Sequence, residues 1–372
     1  MSRRLLSFLL VVGAMLSVLA GCQVAPDERA KNDRRVGKAN NDQGTITVAE
    51  GLAAVRRFDG TDVELWAQAP SLDLSLVSKP DAASTWTLTI LNVLPDADLT
   101  AVAEDGSALT VTEQEPPRRT GRVWMFELPP GTQAQLSLAA SGAWTAAPFR
   151  FAVLSDIQDG IGQFQDMVVK LNAEPDLRFV LSSGDLVENG DRALLERFQR
   201  ELETLDIPWY STVGNHEFIQ GDAKDWFELF GRASFHFEFQ GVHFSFVDSG
   251  SGTVDPTVYD WLAEWLERGA GSLHVVVTHI PPLDPFGLRS GSFNSRAEAA
   301  SFIKRLADGG VDVTFYGHLH SYYAYSNGGI PAFISGGGGA IPEKLDGIGR
   351  HFLVVEAEPT SQRLDVVLRR VD

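Results

Sequence analysis

From Phe149 onward, five apolar runs each end in a short polar segment, and this repeated ending constrains the fold more than any other feature of the 372-residue chain. Phe149 to Leu154 leads to Asp156 and Gln158, and Arg178-Phe179-Val180-Leu181 leads to Gly184-Asp185. Pro208 to Val213 leads to Gly214-Asn215-His216-Glu217. Leu273 to Val277 leads to Thr278-His279, and Val311 to Tyr316 leads to Gly317-His318-Leu319-His320. Amphipathic stretches with a helical period lie between the runs, at Gln163 to Ala173, Asp191 to Leu205, Pro256 to Arg268 and Ser295 to Asp308. Strands alternating with helices predict α/β layers with a largely parallel component. Open α/β sheets place ligands beyond the carboxyl ends of their strands, so the five endings are expected to meet at one edge. Ser234 to Asp248 reads instead as a hairpin turning at Gln240-Gly241.

The chain before this region has other rhythms. Residues 45–148 hold short alternating segments such as Trp86-Thr87-Leu88-Thr89-Ile90 and Val123-Trp124-Met125-Phe126, without helical periods. They predict a small all-β sandwich that serves as a spacer or positioning module. Residues 22–44, with only scattered apolar side chains, read as a solvated tether spanning about 25 Å as a flexible coil. At the start, Ser2-Arg3-Arg4 is basic and Leu5 to Leu19 almost purely apolar, shorter than the ~20 residues that span a bilayer. Residues 1–21 therefore read as a secretory signal. Leu19-Ala20-Gly21-Cys22 resembles the bacterial lipobox, which implies lipidation of Cys22, a membrane partner through that anchor, and a place in the cell envelope. Gln23 after the cysteine favours the outer membrane by the same resemblance. Cys22 is the sole cysteine, so the chain has no internal disulfide and little basis for thiol catalysis. A formal net charge of -18 argues against a nucleic-acid partner.

The ordered set Asp156-x-Gln158, Gly184-Asp185, Gly214-Asn215-His216-Glu217, His279 and Gly317-His318-x-His320 resembles the calcineurin-like metallophosphoesterase superfamily. The pattern there is D-x-H, G-D-x-x-D/N, G-N-H-D/E, H and G-H-x-H, and the resemblance covers Phe149 to Glu358. It implies that residues 149–372 form a four-layer α-β-β-α sandwich holding two metal ions (Fe, Mn or Zn) at one edge. A β-sandwich ahead of such a domain is an arrangement similar to purple acid phosphatases. By resemblance Asp185 bridges the ions, Asp156 and His320 complete one site, and Asn215, His279 and His318 complete the other. His216 would face the substrate. Glu217 would either hold the tautomer of His216 or be a solvent-exposed or helix-start acid.

The implied function is dinuclear metal-dependent hydrolysis of phosphomonoesters or small phosphodiesters by attack of a metal-bridging hydroxide. The alternative is a surface-anchored binding or scaffold lipoprotein with a weakened site. Gln158 is the departure, since most relatives carry histidine there; an amide oxygen is a harder, weaker donor than imidazole. The Asp156 site is therefore expected to bind metal more weakly than the Asn215 site, and to favour an oxygen-loving ion. Purple acid phosphatases supply a tyrosine where this chain has Glu188.

Other residues are open to two readings. Asn189 either bonds near the bridge or caps the helix that follows; Arg289 and Arg296 either meet phosphate or are solvated. Tyr322, Tyr323 and Tyr325 either line a cleft or pack in a strand, and Gly336 to Gly339 form a tightly packed loop or a loop near the site. His236, His243, His274 and His351 fall in strands and are assigned structural or solvent roles.

Overall fold

A computed structural model describes residues 24–287 and 291–372. The signal, Cys22 and Arg289 lie outside the described residues. From Phe149 the chain builds two sheets. The first has five strands in the order Trp209–Ser211, Leu177–Ser182, Phe149–Leu154, His351–Glu358 and Arg363–Arg370. The second has six, in the order Phe235–Phe239, Val242–Val247, Leu273–Thr278, Val313–Tyr316, Ile330–Ser335 and Tyr322–Asn327. The central strands of each pair in parallel, as the alternation of strands and helices predicts. The hairpin pairs Phe235 with Phe246 and Phe239 with Val242, and its turn residues Gln240 and Gly241 both take positive φ, as a two-residue hairpin loop requires.

Phenylalanines join the two sheets. Phe149, Phe151 and Phe179 of the first meet Phe239 and Phe244 of the second edge-to-face, with centroids 5.1 Å apart for Phe149–Phe239 and 5.4 Å for Phe151–Phe244. Each such pair contributes about 0.5–1.5 kcal/mol beyond the area it buries. The opposite face of the first sheet, through Ala152, Leu154 and Val180, packs on the helices Phe164–Ala173 and Arg192–Glu201. The outer face of the second, through Val247 and Val276, packs on Pro256–Arg268 and Arg296–Asp308. The result is a four-layer α-β-β-α sandwich. On that outer face His236, His243 and His274 stack as a buried group, with Nε2 of His236 3.1 Å from Nδ1 of His243.

Between Lys38 and Ala140 ten strands form two five-stranded sheets. Their alternating inward residues, among them Leu65, Trp86, Trp124, Leu74 and Leu136, join the same continuous core as the phenylalanines.

The structure corrects the reading of residues 22–44 as a tether: from Val24 the segment is docked. Pro26–Asp33 is a helix, Lys38–Asn40 and Gly44–Val48 are strands, and Arg29 and Asp33 are buried. Arg29 donates to both carboxylate oxygens of Asp248 at 2.6 and 3.0 Å and to Ser251 Oγ at 3.0 Å, and it also bonds Val24 O. Its guanidinium lies 4.7 Å over the Phe218 ring. Asp33 accepts from the amides of Ala233 and Ser234 at 2.6 and 3.1 Å, and burial pushes its carboxyl up to about 7. Charge pairing rather than apolar contact fastens this helix, which is why a low apolar content concealed it.

Candidate metal centre

All five strand endings converge at one edge of the two sheets. Asp156, Gln158, Asp185 and His318 adopt positive φ values of 60°, 45°, 54° and 69°, turning each chain sharply as it leaves its strand. The loops touch closely. A Cβ on Gly214 would collide with Asp185 Oδ1, and one on Gly317 would lie 2.6 Å from Asp156 Oδ2. Both positions therefore require glycine.

Two carboxylates form the middle of the site. Asp185 Oδ1 accepts from the His216 amide at 2.9 Å; its Oδ2 accepts from Gln158 Nε2 at 2.7 Å and lies 3.3 Å from His279 Nε2. Asp156 accepts from Ser155 Oγ at 2.5 Å and from the His318 amide at 3.0 and 3.1 Å, and its Oδ1 is 3.5 Å from His320 Nε2. Asn215 Oδ1 receives Nε2 of His279 at 3.0 Å and Nδ1 of His318 at 2.9 Å. Gln158 Nε2 also lies 3.3 Å from His320 Nε2. Two donor groups thus share Asp185: Asp156 and His320 on one side, with the Gln158 amide nitrogen beside them, and Asn215, His279 and His318 on the other.

The far nitrogens of the imidazoles are fixed by backbone carbonyls. His279 Nδ1 donates to Ser183 O at 2.9 Å, His320 Nδ1 to Ile341 O at 2.7 Å, and His216 Nδ1 to Glu188 O at 2.6 Å. A second nitrogen anchored in this way sets the tautomer and aims the first, as metal-ligating histidines require. His318 presents Nδ1 instead.

The electrostatics call for cations. Asp156 and Asp185 are fully buried, and among the described residues neither forms an ion pair with a lysine or arginine. Buried carboxylates are paired or hold metal. Burial raises the Asp156 carboxyl, opposed by His279 and His320. Burial pushes Asp185 the same way, yet the charge and hydrogen bond of His279 together with His216 hold it well below the usual carboxylate range. Burial lowers His279, but Asp185 and Asp156 carry it up to about 9, so it is an imidazolium with both nitrogens donating. That proton occupies a position a cation would take, and metal binding would release it. Donor atoms of Asp156, Asp185 and His320 lie within 4.8 Å of one another, a group able to hold a metal ion. The N/O donor set fits borderline and hard ions.

Glu217 differs from the expectation that it orients His216. Its buried carboxylate accepts from the amides of Gly214 (2.6 Å), Asp185 (3.0 Å) and Leu186 (2.6 Å), binding the Gly-Asp loop to the Gly-Asn-His loop. Burial and nearby Asp185 push it up to about 7. The Glu188 carbonyl holds His216 instead. The His216 ring is 21% exposed, Nε2 lies 3.9 Å from Asp185 Oδ2, and the Asp185 charge raises its basicity despite burial.

Other candidates fall outside this constellation. Asn189 accepts from the Asp191 amide, and Asp191 caps the helix. Arg296 begins a helix. Tyr322 packs on His351 and Tyr325 on Tyr316. The Gly336–Gly339 loop packs behind the site, where the Gly338 amide donates to Ser155 O and the Ala340 amide to Asp156 O. Ser183 and Ile341 were not singled out by the sequence, because a carbonyl's partner leaves no mark on residue type.

Comparison with known proteins places this geometry. Residues 149–322 match the family model of the calcineurin-like phosphoesterases. A 3′,5′-cyclic-nucleotide phosphodiesterase of Nostoc sp. is 28% identical over 159 residues, 40% of this chain and 58% of the relative. The "Probable glycerophosphodiester phosphodiesterase GpdQ" of Arcobacter nitrofigilis is 26% identical over 123 residues, 30% of this chain and 44% of the relative. The chain thus spans about half the length of the curated relatives it matches. A solved dimetal phosphatase from Danio rerio aligns with 60% of this chain and 99% of its own, at 12% identity and a TM-score of 0.47. The matched segment contains every motif of the site, so residues 149–322 are similar to a calcineurin-like phosphoesterase domain.

Proposed function

We propose that the protein is a metal-dependent phosphoric ester hydrolase with two ions, one held by Asp156, Gln158, Asp185 and His320, the other by Asp185, Asn215, His279 and His318. The observation that carries this reading is the pair of buried carboxylates shared among aimed imidazoles, without a lysine or arginine partner among the described residues. Two such ions neutralise phosphoryl oxygens and lower the pKa of water. The chain's own part is to hold them and to place His216. Its Nδ1 is tied to Glu188 O, so Nε2 is the nitrogen left to bond a phosphoryl oxygen or to hand its proton to the leaving oxygen. Glu217 keeps the two loops in register for that contact.

Both curated relatives are named as phosphodiesterases, which favours a small diester over a monoester. The acidic chain disfavours nucleic acid. The apolar run ending in Leu19-Ala20-Gly21-Cys22 supports a lipid-anchored protein of the bacterial envelope. The test is metal analysis of the purified protein after Cys22, with hydrolysis of generic mono- and diesters. Fewer than one metal per chain and no turnover after reconstitution would refute the hydrolase.

A further inference from the structure

Ten large apolar side chains are exposed among the described residues, and four of them, Leu283, Phe286, Ile341 and Leu345, sit on two loops beside His320. Ile341 and Leu345 are 73% and 74% exposed. One loop follows His279 and carries Leu283 and Phe286; the other runs from Gly336 to the strand at His351. Neither apolar cluster stabilises the core, so each adds exposed apolar surface to the fold.

The second loop is fastened to a metal-ligand candidate. The Glu343 amide donates to His320 O at 3.1 Å, and His320 Nδ1 donates to Ile341 O. The first loop is held by Tyr325 OH donating to Leu283 O at 3.4 Å and by Phe286 against Tyr323, centroids 5.9 Å apart. Between them lies a cleft of about 350 Å³. Phe286, Tyr323 and Leu345 form its walls, and Leu319, the residue between His318 and His320, contributes to its lining. Asp284, Glu343 and Lys344 form its rim. The Asp284 carboxylate at the rim is engaged by the amides of Phe286 and Gly287.

We infer that this cleft is the subsite for the organic group of the ester, and that the substrate class is a phosphoester bearing an uncharged apolar group, alkyl or aryl, rather than a sugar or a second phosphate. The inference rests on the hydrolase reading. Continuity supports it: one lining residue, Leu319, lies between the ligand candidates His318 and His320, and the loop bearing Leu345 is bonded to His320, so the cleft adjoins the metal centre.

The test uses metal-loaded protein and a series of n-alkylphosphonates from methyl to hexyl, with dissociation constants from calorimetry, alongside hydrolysis of the matching alkyl esters. Affinity and kcat/KM should rise roughly two- to fourfold for each methylene that enters the cleft. The pair Phe286→Ala and Leu345→Ala should flatten that slope, whereas Val169→Ala, an exposed apolar residue on the helix Phe164–Ala173, should leave it unchanged. Hexylphosphonate binding no tighter than methylphosphonate would overturn the subsite and leave the hydrolase standing. Failure to bind any phosphonate, with no metal retained, would sink the hydrolase and the subsite together. An unchanged slope in the double variant, coupled with loss of binding to phosphatidylcholine vesicles, would assign the patch to a membrane surface and also overturn the inference.

Discussion

Arg29→Ala should destabilise the two-sheet domain, even though the residue lies in a segment whose composition reads as solvated. The side chain is 1% exposed and its partner Asp248 5% exposed, so the pair is buried. Two bonds to Asp248, one to Ser251, one to Val24 O and the stack on Phe218 vanish together, and Asp248 keeps the Gly250 amide. Removing one member of a buried ion pair costs about 3–5 kcal/mol, because the charge left behind is uncompensated. At ~2.1 cal/mol/K per residue, that is a fall of about 4–7 °C in the melting midpoint for a chain of this size. The double replacement Arg29→Met with Asp248→Leu should recover most of the loss, since a buried pair exchanged for apolar groups is near neutral. Denaturant unfolding of residues 24–372, followed by tryptophan fluorescence, measures all three proteins, with a truncation beginning at Arg35 beside them. If Arg29→Ala and the truncation both stay within about 1 kcal/mol of the parent, the helix is not part of the folded body and the pairing has been misread.

The remaining expectations concern the site and the histidine stack. His216→Ala should lower turnover by about 10²–10⁴-fold with metal content unchanged by elemental analysis; lost metal would mean that His216 is a ligand. Titration of apo-protein should show two unequal binding steps, the weaker one tightened by Gln158→His and loosened by Gln158→Ala. Two equal steps indifferent to residue 158 would contradict the assignment. Acid should unfold the domain early: burial lowers His236 and His274 to about 3 and lowers His243 too. Their folded values lie below the unfolded 6.5, so the unfolded chain takes up more protons and stability falls as pH drops from 6.5 toward 3. At pH 5.5 His236 and His274 together should cost about 3 kcal/mol. His274→Gln should reduce the slope of stability against pH between 6.5 and 5, and an unaltered slope would show that the stack titrates normally.

Much of this domain could be read from residue order alone. The five endings were legible because each follows an apolar strand, and parallel strands deliver their carboxyl ends to one edge. The helices Pro256–Arg268 and Arg296–Asp308 were legible from their helical period, and Asp255 and Ser295 cap their starts. The docked segment was hidden because Arg29 finds its partner 219 residues away, and a charged sequence gives no hint that its charges are spoken for. The seven-residue helix Ala223–Leu229 is too short to show a period. Glu217 looked like a companion to its neighbour His216, yet it serves backbone amides from two loops that meet only in three dimensions.

The left-handed turns at Asp156, Gln158, Asp185 and His318 carry a further consequence. A side chain in that conformation strains the backbone by about 1–2 kcal/mol, least for the aspartates. Glycine would relieve the strain at any of the four while deleting a donor atom. A screen for thermostability alone would therefore trade ligand candidates for glycine wherever the relieved strain exceeds the hydrogen bonds lost.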